Sequence, residues 1–264
     1  SGGTKVQVTG SDNLVDLIEC RVEGSTLIVN MKPHTNISYG KAGRLKVLVS
    51  SPSLRSVFLQ GSGDIYLGNL KAEELEVSLA GSGDIVAGDV TCNGDFSALL
   101  KGSGDIDVKG QIRAKSVSLT LQGSGDLNVV GVTGSEISAM LQGSGDLKVR
   151  SAYTTSTVTA KLSGSGDMDV LGIRANNVAA QLAGSGDMTL SGSTRDATLV
   201  LSRSGELNAR KLDAENVTAR VNGSGDITCV ATKTLVTNIQ GSGEVSYKGN
   251  PSVRSTGKNH LNRL

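Results

Sequence analysis

Two residue types recur at a spacing that could carry chemistry: a serine and an acid inside the tetrapeptide Gly-Ser-Gly-Asp. The motif stands first at Gly61-Ser62-Gly63-Asp64 and returns from Gly81, Gly102, Gly123, Gly143, Gly164, Gly184, Gly223 and Gly241, with Glu244 as the acid of the last copy. A worn copy, Arg203-Ser204-Gly205-Glu206, fills the one gap, so ten steps follow each other at 18 to 21 residues. Eight aspartates are phased in this way: Asp64, Asp84, Asp105, Asp126, Asp146, Asp167, Asp187 and Asp226. If the repeats stack at the usual ~4.8 Å strand spacing, neighbouring carboxylates repel by about 0.9 kcal/mol even in water. A hard cation with oxygen ligands would offset that repulsion. Calcium is the ligand such a pattern could take, and the motif partly echoes the Gly-Gly-x-Gly-x-Asp nonapeptides of calcium-binding β-rolls. Here it occurs once per ~20 residues, without a half-coil partner motif, which counts against calcium. The reading preferred for the acid is a corner cap that hydrogen-bonds backbone at a turn; the eight aspartates are the candidate ligands if calcium binds.

Other chemistries fail on inventory. The repeated serines are alike in every copy, and the chain has two histidines, His34 and His260, neither of which can be placed beside them. No copy has the strand-turn-helix context of a nucleophile elbow. Asp105 with Asp107, and Asp167 with Asp169, put two carboxylates on one repeat. They could in principle act as an acid/base pair on a polysaccharide, but no long loop is available to shape a cleft. Cys20, Cys92 and Cys229 are scattered and odd in number, so neither a disulfide framework nor a zinc site is signalled. Gly-x-Gly is followed by strand-like sequence rather than helix, against a dinucleotide loop. With 26 basic and 25 acidic residues there is no electrostatic case for nucleic acid, and aromatic stacking partners are missing.

The elements that carry the motif follow from parity. Counting from the first Gly as zero, apolar residues stand at minus six, minus four and minus two (Val117, Leu119, Leu121) and again at plus four and plus six (Leu127, Val129). All are even positions, and so are both glycines. A period of two over about thirteen residues is extended chain, not helix. Even positions then face inward, and the glycines mark a bend where the interior has no room for a side chain. A unit of twenty residues cannot bury its apolar face alone, whereas stacked neighbours can. The fold class expected is all-β: a right-handed parallel β-helix of about ten coils, on the order of 45 Å long at the usual strand spacing.

The organisation expected is an N-terminal strand and hairpin cap over residues 1–52, the β-helix over 53–250, and a C-terminal tail over 251–264. In the cap, Val6 and Val8 alternate with polar neighbours, Leu14 to Ile18 and Leu27 to Val29 flank a turn at Glu23-Gly24-Ser25-Thr26, and Leu45 to Val49 forms another strand. The tail has no apolar face and is expected to fray. Aromatic residues are 2% of the chain and Trp is absent, which suits a narrow aliphatic interior and disfavours sugar stacking on aromatic platforms. No apolar run approaches a membrane span. The opening Ser1-Gly2-Gly3, without Met, is read as a trimmed or mature start, so the lack of a signal peptide says little about targeting.

Three stretches are similar to one known family: Val6-Gln7-Val8 with Leu14 to Ile18, Leu45-Lys46-Val47 with Leu54-Arg55-Ser56-Val57 leading into the first motif, and the close from Gly241 to Pro251. On these the chain resembles the auto-transporter adhesin head GIN domain family of bacterial envelope proteins, over nearly its whole length. The resemblance implies a β-helical, exported protein of the periplasm, outer membrane or cell surface, and offers no catalytic residues to carry over. Relatives tend to close on a further Gly-Ser-Gly step. Here Ser255-Thr256-Gly257-Lys258 stands instead. The function expected is therefore a non-enzymatic adhesin or surface interaction scaffold that meets a polysaccharide or protein partner, without cofactor and without nucleic acid, and open to self-association. The alternatives are a calcium-binding β-solenoid and, behind it, a polysaccharide-active enzyme.

Overall fold

The structure, a computed structural model, describes residues 4–10, 12–33, 45–257 and 260–264, so His34 lies outside the described residues. The chain divides into two compact units, Ser1–Leu54 and Arg55–Leu264.

In the first unit Lys5–Thr9 pairs antiparallel with Lys46–Ser50, from Lys5 opposite Ser50 to Thr9 opposite Lys46. Ile18–Glu23 and Thr26–Met31 form a hairpin on a two-residue loop. Gly24 opens that loop at φ +60°, as the tight hairpin turns require. The run Leu14 to Ile18, expected to be strand, is not: Asp12–Val15 is a helical turn, Leu17 N–H donates to the Leu14 carbonyl at 3.1 Å, and strand begins at Ile18. The reason lies in the spacing, since apolar residues at 14, 15, 17 and 18 do not alternate and instead match a helical face.

The second unit is a parallel β-solenoid. Its early coils each carry three short strands: Ile65–Leu67, Leu70–Ala72 and Leu75–Leu79, then Ile85–Ala87, Val90–Cys92 and Phe96–Leu100. These stack in parallel with Ile65 on Ile85, Leu70 on Val90 and Leu75 on Phe96. In later coils the strands fuse through the links, giving Leu127–Leu141, Met168–Leu182 and Glu206–Gly223. Extended chain thus runs through the polar links and breaks at the motif, the reverse of a single strand bent at its glycines.

Parity holds. Leu79, Leu100, Leu121, Leu141, Leu162, Leu182, Leu201 and Val221 form one inward ladder, each no more than 1% exposed. Ile85, Ile106, Leu127, Leu147, Met168, Met188, Leu207 and Ile227 form the ladder on the other side of the corner. Each such side chain gains about 1.5–3 kcal/mol by burial, and no coil can collect that gain without a neighbour.

The cause of the glycines differs from the one expected. A Cβ on Gly83 would meet the Gly63 carbonyl oxygen at 1.9 Å, and one on Gly81 the Gly61 carbonyl oxygen at 2.0 Å. What excludes a side chain is the backbone of the coil below, not a crowded interior. The C-terminal residues also depart from expectation. Instead of fraying, Ser252–Thr256 pairs with the strand at Thr234–Asn238 and Leu261–Arg263 pairs with Val245–Tyr247. Gly257 turns the chain at φ +83°, and a strand at the end of a stack needs only the backbone beneath it, not the repeated motif.

Candidate functional site

The corner is built by bonds between coils. Ser82 N–H donates to the Gly61 carbonyl at 2.9 Å and Gly83 N–H to the same oxygen at 3.1 Å. The serine bond recurs at Ser103, Ser124, Ser144, Ser165, Ser185, Ser224 and Ser242, at 2.9 to 3.1 Å. The aspartates form a second ladder beside it. Each uses Oδ1 to accept the backbone N–H of the acid one coil on: Asp64 from Asp84 at 3.2 Å, then Asp84, Asp105, Asp126, Asp146 and Asp167 each from the next aspartate, and Asp187 from Glu206, at 2.8 to 3.2 Å. Asp226 does the same for Glu244 at 2.9 Å. The ladder runs up to Glu206 and resumes at Asp226, with no such bond between Glu206 and the Asp226 N–H among the described residues.

The structure therefore brings all eight candidate ligands onto one corner, and there their Oδ1 atoms hold the next coil's backbone. The second oxygens are partly engaged as well: Asp146 Oδ2 lies 2.8 Å from Lys148 Nζ. The hydrogen bond from Lys148 holds the Asp146 carboxyl below the usual aspartate range. Asp107 is turned to Lys109 at 2.7 Å and is not paired with Asp105. Among the described residues no three His, Cys, Asp or Glu side chains gather as a metal ion would need. His260 sits in the last turn, its N–H donating to the Gly257 carbonyl at 3.2 Å. Burial raises the Cys92 thiol above its ordinary value and pushes that of Cys229 up to about 12, so both are packing groups.

The corner with Arg203 is the exception. Arg203 is the only non-glycine residue at positive φ among the described residues, at +94°. Its carbonyl accepts from Ser224 and Gly225 above it at 2.9 Å, but Ser204 makes no bond to Gly184 below.

A different surface was not legible in the motif. The strand entering each corner turns alternate residues outward, and parallel register stacks them coil on coil. Ser97, Ser118, Ser138 and Thr159 form one row, and Thr198 and Thr218 continue it beyond Ala179. Two shallow grooves lie on this face. One, of about 420 Å³, is floored by those four hydroxyl residues and bordered by Asp95 and Glu136. The other, of about 260 Å³, lies between Arg220 and Arg254 with Thr218, Asn238 and Thr256. Only the coil register could have revealed either.

The family described as "Putative auto-transporter adhesin, head GIN domain" matches residues 2–172 and 147–251, and the chain belongs to it. No curated protein matches the chain. Among solved structures it is similar to a "Putative lipid binding protein" from Parabacteroides distasonis, at 21% identity and TM-score 0.41 over 99% of this chain and 84% of the other. It is also similar to a "putative adhesin" from Bacteroides fragilis, at 22% identity and TM-score 0.27 over 99% and 79%.

Proposed function

We propose that this head GIN family member is an exported, non-enzymatic interaction scaffold that offers a solenoid face to another macromolecule at the cell surface. One observation carries the reading: on the entering strands hydroxyl residues stack in register from coil to coil, Ser97, Ser118, Ser138 and Thr159, with Thr198 and Thr218 resuming the row beyond Ala179. Such rows present many weak hydrogen-bonding groups on a rigid backing, which suits an extended partner and gives no enclosed site for turnover. Membership of an adhesin family supports export and surface placement. The motif itself is engaged in coil stacking, which leaves the faces to make contacts.

The test is retention of the purified full chain on arrays of defined polysaccharides and purified matrix proteins, with fractionation of the native cell for its compartment. Saturable retention on one polymer class supports the scaffold. Retention on none, or steady cleavage of a uronic-acid polymer by the purified chain, counts against it.

A further inference from the structure

We infer that the groove between Arg220 and Arg254 is a binding site for a carboxylated polysaccharide, a chain of uronic-acid type; this rests on the scaffold reading and narrows it. The alternate residues of 216–222, 234–240 and 252–256 cover this part of the face. They comprise two arginines, eight hydroxyl or amide residues and Val236, with no acid among them. Over the whole chain charges nearly balance, 26 basic against 25 acidic, so an acid-free patch of three coils is a local departure.

The arginines are unengaged. Among the described residues neither Arg220 nor Arg254 has an ion pair or a side-chain hydrogen bond. The cations nearby on the links are used: Arg195 holds Asp196 at 2.8 Å and Lys233 holds Glu215 at 2.6 Å. Those pairs also quiet the acids that border the patch. Arg220 stands on Asn238 and Asn238 on Thr256, while Thr218 stands on Val236 and Val236 on Arg254. The two arginines are thus two coils apart, about 10 Å along the stack. Both line one concavity of about 260 Å³, each able to fork onto a carboxylate. Thr218, Asn238 and Thr256 between them offer donors and acceptors to ring hydroxyls.

The occupant follows from what the patch has and lacks. A protein partner is held by a buried apolar and aromatic centre, and the one exposed apolar side chain among these alternate residues is Val236, at 42%. A neutral glycan would leave two arginines without partners. A hydroxyl-rich polymer with carboxylates at intervals satisfies both.

The experiment measures binding of oligogalacturonate to the full chain by calorimetry at low and high salt, with its methyl ester, neutral dextran and polyglutamate as comparison probes. Arg220→Gln, Arg254→Gln and the double variant are set against Arg150→Gln, an arginine away from the groove. The result expected is salt-sensitive binding of the free acid, loss of about tenfold or more in the double variant, no loss in Arg150→Gln, and unchanged thermal midpoints. Binding of the acid undiminished in the double variant overturns the site, as does equal binding of polyglutamate. Retention of dextran or ester as strong as that of the acid overturns the site but keeps the scaffold. Retention of no polymer here and on the arrays overturns both.

Discussion

Replacing Arg203 with glycine should make the protein more stable, although it deletes a long side chain from a folded solenoid. Arg203 occupies the place of a first motif glycine at φ +94°. A residue with a Cβ held in that region costs roughly 1–2 kcal/mol. Glycine removes the cost but returns roughly 0.4–1 kcal/mol through a freer unfolded chain. The corner bond from Ser204 to the Gly184 carbonyl, absent here and present at the equivalent serines, would re-form for about 0.5–1.5 kcal/mol. Arg203 is exposed and has no packing to lose. The sum favours Arg203→Gly by roughly 1–2 kcal/mol, worth a few degrees in a unit of this size. Urea titration followed by circular dichroism reads it, with an unchanged slope showing that the same surface unfolds. Arg203→Ala is the decisive companion. It removes the charge and length but keeps the Cβ, so it should gain nothing. A glycine variant no more stable than the alanine variant would refute the backbone argument, and with it the claim that inter-coil carbonyl contact sets the motif.

The same contact predicts that Gly145→Ala costs more than about 3 kcal/mol, since its Cβ would lie 1.9 Å from the Gly125 carbonyl and overpacking would add to lost corner bonds; Gly143→Ala, at the position where Arg203 shows an escape through φ, should cost less in the same melts. Asp126→Ala should lose about 1 kcal/mol with its bond to the Asp146 N–H, whereas Asp126→Asn keeps an acceptor, sheds like-charge repulsion and should match or exceed the wild type at low salt. Calcium added to metal-stripped protein should leave the melting midpoint unmoved, because a shift specific to calcium over magnesium would mean the carboxylates do more than hold the next coil. For Asp146, whose folded pKa is lowered by Lys148, the stabilisation is present above the unfolded value near ~3.9 and is lost as pH falls through the lowered folded value. Lys148→Met should therefore melt below the wild type at pH 6 and alike at about pH 2, and a gap that does not narrow in acid would refute the linkage.

Most of the solenoid could be read from the chain because each inward place is sampled ten times. Leu79, Leu100 and Leu121 need no tertiary knowledge to be assigned to one ladder. What could not be read involves the next coil. The glycines looked like an answer to a crowded interior, and only the position of the Gly63 carbonyl above or below Gly83 gives the true cause. The aspartates looked like caps of their own turns, but Oδ1 of Asp105 serves the N–H of Asp126, 21 residues on. Residues 14 to 18 were misassigned as strand for a local reason, an apolar spacing that a helical turn uses as well. The strand at Leu261–Arg263 was missed because its support is the backbone of Val245–Tyr247, which no property of the tail's own residues announces. Arg220 and Arg254 meet only after the short last coils are laid in register.

These misses share a direction, and it bears on where function can lie. Within the motif, each invariant feature already has a partner in the adjacent coil: the first glycine's carbonyl takes the serine N–H, the second glycine gives the clearance, and the acid's Oδ1 takes the next acid's N–H. Substitution inside the motif follows the same logic. The second glycine is glycine in all ten copies, and from Gly83 onward an added Cβ would lie 1.9–2.2 Å from a carbonyl oxygen of the coil before. The first gives way once, at Arg203, with a strained φ and a lost bond. The acid lengthens to Glu206 and Glu244, and after Glu206 the carboxylate ladder skips a step. A regular pattern is what stacking demands, whereas recognition demands difference, since a partner must distinguish one stretch of surface from another. The outward rows supply that difference: hydroxyls at Ser97 to Thr159, then arginine, asparagine and threonine around Arg220 and Arg254. The repetition that makes the sequence easy to read is the part that builds the rod, and the irregular residues between its corners are the part left to meet a ligand.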